Sequence, residues 1–198
     1  CGSKFVNTWM HNGFVRVDDE KMSKSLGNFF TVREVLEWVR DPEVVRYFML
    51  GSHYRGPINY TPDSLSQADA ALERLYLSLR GVTPAGSFEP TAATTRFVAA
   101  MDDDFNTPIA VAELQSLARE LNTARAAGQA DLAAACAAEL RALGARLGVL
   151  QVDPEVFLRA SVGNPEAGHH LIEYEDDAVA LRQFSHCLQE PRPGQNAA

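Results

Sequence analysis

The chain has 198 residues, enough for one substantial core or two small ones at roughly 100–200 residues per domain. Apolar residues at 46% and charged residues at 22% place it in the ordinary globular range and exclude a wholly disordered polypeptide. The net charge of -8 excludes bulk affinity for nucleic acid, although residues 1–60 hold eight basic against seven acidic groups and leave room for a local basic contact.

The chain opens Cys1-Gly2-Ser3-Lys4-Phe5, without the apolar stretch of a signal peptide, and a start on Cys rather than Met is what a piece of something longer would show. No uncharged run approaches the roughly 18 residues of a membrane-crossing helix. Cysteines at 1, 136 and 187 form no CxxC pair, which favours a reducing compartment and a soluble, cytoplasmic protein. Phe5–Met10 and Gly13–Val17 are rich in β-branched and aromatic residues and are strand candidates.

Lys21-Met22-Ser23-Lys24-Ser25-Leu26-Gly27-Asn28 follows, a short polar stretch with two lysines three apart, two serines and a closing Gly-Asn. Two ammonium groups can gather around one polyphosphate while hydroxyls and backbone N–H groups near Gly27 supply directional donors. The same composition also suits a solvated surface loop. Thr31–Arg40 and Pro42–Leu50 then read as two helices split at Asp41-Pro42, with the proline opening the second.

From residue 63 the period is helical. Leu65, Ala68, Leu72, Leu75, Tyr76 and Leu79 form one apolar stripe ending near Gly81, and residues 83–90, with two prolines and a glycine, read as a linker. Three further helices are predicted over 91–160. Phe97, Ala100 and Met101 mark the first, Ala110 to Leu121 the second, and Leu132, Cys136, Leu140, Leu143, Leu147 and Leu150 the third. Thr107 is the expected N-cap of the middle helix, with Pro108 at its first position. That core looks sufficient for residues 91–160 to fold alone. Residues 161–198 lose the period apart from Ala178–Leu188, and their Pro/Gly-rich ending predicts a flexible tail.

Several polar residues carry two readings each. His11 suits either an approach to a nucleotide or a partly buried place at a strand end. His53-Tyr54-Arg55 suits RNA contact or packing between elements. Asp102-Asp103-Asp104 fits a helix end better than a metal site, since consecutive carboxylates point apart. His169, His170, His186 and Cys187 lack the gaps of a structural zinc site.

The string KMSKS at Lys21–Ser25 resembles the signature of class I aminoacyl-tRNA synthetases letter for letter. With Trp9-Met10-His11-Asn12-Gly13, the continuation LGNFFTVREVL, Val45-Arg46-Tyr47-Phe48, His53-Tyr54-Arg55 and MDDDFNTP at 101–108, the first 160 residues resemble bacterial cysteinyl-tRNA synthetases. The resemblance implies a mainly α fold: the edge of a Rossmann-like catalytic domain with its KMSKS loop over 1–60, a connecting helix at 61–82, the 83–90 linker, and a helical bundle at 91–160 on the tRNA-binding side.

It implies ATP, with Mg2+, as substrate together with cysteine and tRNA(Cys), in a monomer without a membrane partner. Lys24 and Lys21 are then the catalytic lysines, and Met22, Ser23 and Ser25 complete the ATP-binding loop. The family's zinc is implied to be held by residues upstream of this loop, so no metal ligand is assigned here, and the isolated chain is expected to be inactive. A ligase joining cysteine to a glucosaminyl-inositol resembles the same family, and a non-catalytic module binding tRNA or a protein is the alternative of another class. The MDDDFNTP bundle favours the tRNA enzyme.

Overall fold

A computed structural model describes residues 5–160. The expectations for Cys1, for the 161–198 tail with its Ala178–Leu188 stretch, and for the His169, His170, His186 and Cys187 set lie outside the described residues. Residues 5–160 hold seven α-helices and one three-stranded sheet and are mainly helical.

The sheet is built from β1 (Val15–Val17), β2 (Glu20–Lys21) and β3 (Ile58–Tyr60), in the order β2-β1-β3. β1 and β2 form an antiparallel hairpin in which Val17 faces Glu20 and Arg16 faces Lys21. Its two connecting residues, Asp18 and Asp19, both have positive φ (50° and 63°), the conformation that matches a tight turn to strand twist. Asp18 N–H donates to the Tyr60 carbonyl and Asp19 N–H to the Asn59 side chain, which offsets that backbone strain. β3 runs parallel to β1, so the intervening chain makes a helical crossover.

Phe5–Met10 is not a strand; it bends at Phe5 and Asn7 and is mostly exposed, with Phe5 and Trp9 open to solvent and no neighbouring strand among the described residues. Gly13 enters the sheet by donating its N–H to the Tyr54 carbonyl, so close to Gly56 that a Cβ would fall 1.9 Å from its carbonyl oxygen.

The crossover contains α1 (Val32–Leu36) and α2 (Pro42–Leu50). Thr31 opens α1 with a reciprocal capping box to Glu34. α1 stops four residues short of the predicted Arg40, because Val39 turns into the core and the Arg40 guanidinium reaches across to Asp69, leaving Asp41 extended ahead of Pro42. α2 has the predicted bounds, with the Asp41 carboxylate accepting the Glu43 N–H.

α3 (Pro62–Leu79) is the central spar, capped by Thr61 and packed against α2. Residues 83–90 carry no helix or strand, and Ala85 N–H donates to the Ala134 carbonyl. Then come α4 (Ala92–Asp102), α5 (Thr107–Ala126), α6 (Ala130–Arg146) and α7 (Pro154–Arg159). Asn106, not Thr107, precedes α5; Thr107 is already helical and its hydroxyl donates to the Ser52 carbonyl. Small residues at Ala118, Ala124, Ala133 and Ala137 are buried on α5 and α6, which pack closely on each other, and the predicted core residue Leu132 falls to the exposed side of α6. α6 ends at Arg146, so the predicted Leu150 lies past it, in the left-handed region (φ 62°) and packed back on Gly144. One apolar cluster runs from Val17 and Val44 through Leu72 and Tyr76 of α3 to Leu117, Leu140 and Phe157. Among the described residues no helix is long and apolar enough to cross a membrane.

Candidate nucleotide-binding loop

The lysine loop leaves β2 directly. Lys21 is the last residue of that strand, Met22 tucks partly into the core, and Lys24–Leu26 make one 3-10 turn. Ser23 caps this turn: its hydroxyl accepts the Leu26 N–H at 3.3 Å and lies 3.2 Å from the Ser25 hydroxyl. Gly27 closes the turn at φ 71°, the left-handed region in which a side chain is strained.

Asn28 holds the base. Its side-chain oxygen accepts the Ser23 N–H at 2.8 Å while its amide donates to the Lys21 carbonyl at 3.3 Å, so one residue fixes the backbone at both lysine-bearing ends. Lys24 itself projects into solvent, with its ammonium 5.3 Å from the centre of the Phe29 ring. Neither Lys21 nor Lys24 forms an ion pair among the described residues.

Two contributors escaped the sequence reading. Arg16 stands opposite Lys21 in the hairpin register, so both cations share a face of the ribbon, and like charges in that relation are unfavourable unless an anion relieves them. The Asp18-Asp19 turn was the clue, since a two-residue connection forces that register. Asn28 was named only as the end of the string, and its amide clamp needs the folded turn to be visible. Phe14, Val15, Arg16, Lys21 and Met22 line a shallow cleft at the loop's base.

The remaining candidates sort by contact. His11 is exposed rather than partly buried, outside any strand. The His53 ring stacks on Tyr54 at 5.1 Å, and its Nδ1 accepts the Arg55 N–H. Tyr54 donates its hydroxyl to Asp104 at 2.7 Å, and the Arg55 guanidinium donates to both oxygens of the same carboxylate. Those bonds, Arg55 foremost, hold the Asp104 carboxyl down to about 2, while the bond to Asp104 pushes the Tyr54 hydroxyl up against the opposing pull of Arg55. Of the aspartate triplet, Asp103 instead accepts from the Asn106 amide. Among the described residues no three His, Cys, Asp or Glu side chains converge as a metal site, and Cys136 is buried in the bundle, where desolvation pushes its thiol up.

A hairpin-borne lysine loop followed by a helical bundle is matched by two family models: "tRNA synthetases class I (C) catalytic domain" over residues 1–70 and "DALR domain" over residues 96–151. Together they take in more than half of the chain and define a segment of a class I tRNA synthetase. A cysteine--tRNA ligase from Halorhodospira halophila is 60% identical over 166 residues, covering 84% of this chain and 36% of the relative. That from Alkalilimnicola ehrlichii is 60% identical over 184 residues, 92% of this chain and 38% of its own, and that from Thioalkalivibrio sulfidiphilus 61% over 159 residues, 78% and 34%. The chain belongs to the cysteine--tRNA ligase family, and it spans little more than a third of the length of these curated relatives.

Proposed function

We propose that this chain is the part of a cysteine--tRNA ligase that closes over ATP and carries the helical bundle on which tRNA(Cys) rests. In the reaction, the cysteine carboxylate attacks the α-phosphate of ATP, the bond to the β-phosphate breaks and pyrophosphate leaves. The cysteinyl group then passes to a terminal ribose hydroxyl of tRNA(Cys), releasing AMP. Lys24 stabilises the charge that develops on the phosphates as that bond breaks, Lys21 assists, and Ser23, Ser25 and the Met22 backbone shape the loop.

The observation that carries this reading is the state of the loop: the Ser23 cap and the Asn28 clamp fix the backbone that bears two lysines without carboxylate partners among the described residues, with Arg16 opposite Lys21. Preorganised cations aimed at a site of developing charge stabilise the transition state without reorganising. Gly27 supplies the backbone freedom that closure over ATP requires.

Mg2+ accompanies ATP in this reading. The zinc implied by the family resemblance does not fit the described residues of this chain, because its ligand types do not converge anywhere among them. Residues 1–60 serve as the edge of the catalytic domain, 61–82 as the connecting helix, 83–90 as the linker and 91–160 as the tRNA-side bundle, in a cytoplasmic monomer.

The test belongs in a polypeptide of the relatives' full length that carries this segment. Lys24→Ala is expected to slow cysteine-dependent ATP–pyrophosphate exchange about 10²-fold or more while the KM for cysteine barely moves. An exchange rate within about threefold of the parent would remove Lys24 from this role.

A further inference from the structure

A cavity of about 390 Å³ opens between the end of β1, the chain just after the lysine loop, the α1–α2 turn and the first turns of α3. That volume lies in the range of small-molecule sites. Phe30, Trp38 and Tyr60 line it and contact one another: Phe30 meets Trp38 edge to face at 5.1 Å, and Tyr60 lies 6.0 Å from Phe30 and 6.5 Å from Trp38.

Two carboxylates, Asp18 and Asp69, share the lining. Asp69 accepts two hydrogen bonds from Arg40 on a single oxygen: Oδ2 accepts from Nε at 3.1 Å and from Nη2 at 2.9 Å. Its other oxygen, Oδ1, is sealed from solvent and has no hydrogen-bond partner among the described residues. A buried acceptor left unsatisfied in a native fold calls for a partner. The local charge points the same way. Arg40 is shared with Glu73 at 3.5 Å, so one guanidinium faces Asp69 and Glu73, and Asp18 adds a third negative group. Burial pushes the Asp69 carboxyl up in spite of Arg40, so its ionised form stands to gain from a further donor.

We propose that this cavity binds a small aromatic ammonium ion, its ring lodged among Phe30, Trp38 and Tyr60 and its N–H donors turned to Asp69. Electron-rich ring faces attract a cation, and the carboxylates exclude an anion of the same shape. A neutral hydrocarbon would leave the carboxylates lining the cavity without a counter-charge. Asp18 stands three residues before Lys21 and Phe30 two residues after Asn28, so the occupant rests against the chain on both sides of that loop. The site stands independently of the ATP reading, since none of its lining residues belongs to Lys21–Ser25.

The experiment uses the 198-residue chain with Trp9→Phe, which leaves Trp38 as its one tryptophan. Trp38 fluorescence is followed while 2-phenylethylammonium is added, with 3-phenylpropionate and 2-phenylethanol as anionic and neutral controls. A saturable change with a dissociation constant of about 1 mM or tighter is expected for the ammonium, with at least a tenfold weaker response to either control. Ser66→Phe, at an exposed α3 position lining the cavity, is expected to abolish the response without lowering the thermal midpoint. Asp69→Asn is expected to weaken binding tenfold or more. If that variant proves unfolded by circular dichroism, Ser66→Phe decides alone. An unsaturable response, equal binding of a control, or parent-like binding in a folded variant would overturn the proposal.

Discussion

Asp104 occupies the left-handed region (φ 53°) in the turn after α4, and Phe105 follows it there (φ 55°). A non-glycine residue in that conformation needs outside support, and it comes from about 50 positions earlier in the chain, through Tyr54 and Arg55. In the sequence Asp102, Asp103 and Asp104 are equivalent letters; the approach of Arg55 is what selects one of them, and no local pattern reveals it.

The same holds at the loop, where the string marks Lys21 and Lys24 as candidates but the Asn28 clamp appears only in the folded turn, and the pairing of Arg16 with Lys21 only once Asp18-Asp19 is read as a two-residue connection. The Asp104 carboxyl is depressed from its ordinary value of 3.8 to about 2. A depressed carboxyl stabilises the fold fully above its unfolded value and loses that contribution as pH falls through the folded one. Asp104→Asn is therefore expected to lower the thermal midpoint at pH 7, and the gap from the parent should close between pH 4 and pH 2. A gap of constant size across that range would show that the ion pair contributes nothing.

At the scale of elements, the start of α2 is legible at Asp41-Pro42, because side-chain acceptor and fixed φ act on the same turn, whereas at Thr107-Pro108 the helix begins one residue earlier than the cap pattern indicates. Where a tertiary contact competes, the pattern misleads, as when Arg40 and Val39 cut α1 short. Glu43 is the strongest instance. An acidic residue in the first turn of α2 reads as a solvated dipole partner, yet it is buried and accepts the Tyr76 hydroxyl at 2.7 Å, the Leu150 N–H at 2.8 Å and the Gln151 N–H at 2.9 Å.

Those three donors come from α3 and from the chain entering α7, so one carboxylate ties α2 to both. Burial pushes the Glu43 carboxyl up, only partly countered by its hydrogen bonds, with Asp41 adding repulsion. A raised carboxyl binds its proton more tightly folded than unfolded, so this group's contribution falls as pH rises from about the ordinary value of 4.5 through its folded value. Glu43→Gln replaces one acceptor with a donor facing a donor, and urea unfolding at pH 7 is expected to show a loss of about 1–3 kcal/mol. The same variant should lack the parent's decline in that pH window. Unchanged stability would mean that the three donors find water instead.

For the whole molecule, the period of Leu114 to Leu147 made the bundle legible, and the polar run at 83–90 made it look separable. What periodicity cannot show is which outward face of one unit meets the next, and here the faces are shared. The Phe157 ring of α7 stacks on Tyr76 of α3 at 4.0 Å and 14°, the Arg125 guanidinium of α5 donates to the Ser78 carbonyl, and Arg46 of α2 donates to the Gly148 carbonyl. Cutting at residue 90 would expose Phe157 and leave the Leu150 and Gln151 N–H groups without their carboxylate. Residues 91–160 alone are therefore expected to be helical by circular dichroism yet to melt broadly, whereas residues 41–160, which restore α2 and α3, should melt in one cooperative transition at a clearly higher temperature. Loss of a stacked aromatic pair together with orphaned buried donors is worth several kcal/mol, a large part of what a small domain has in total. Equal midpoints and equally sharp transitions for the two fragments would show that the bundle draws nothing from α3, and would restore the division of the chain that residues 83–90 first indicated.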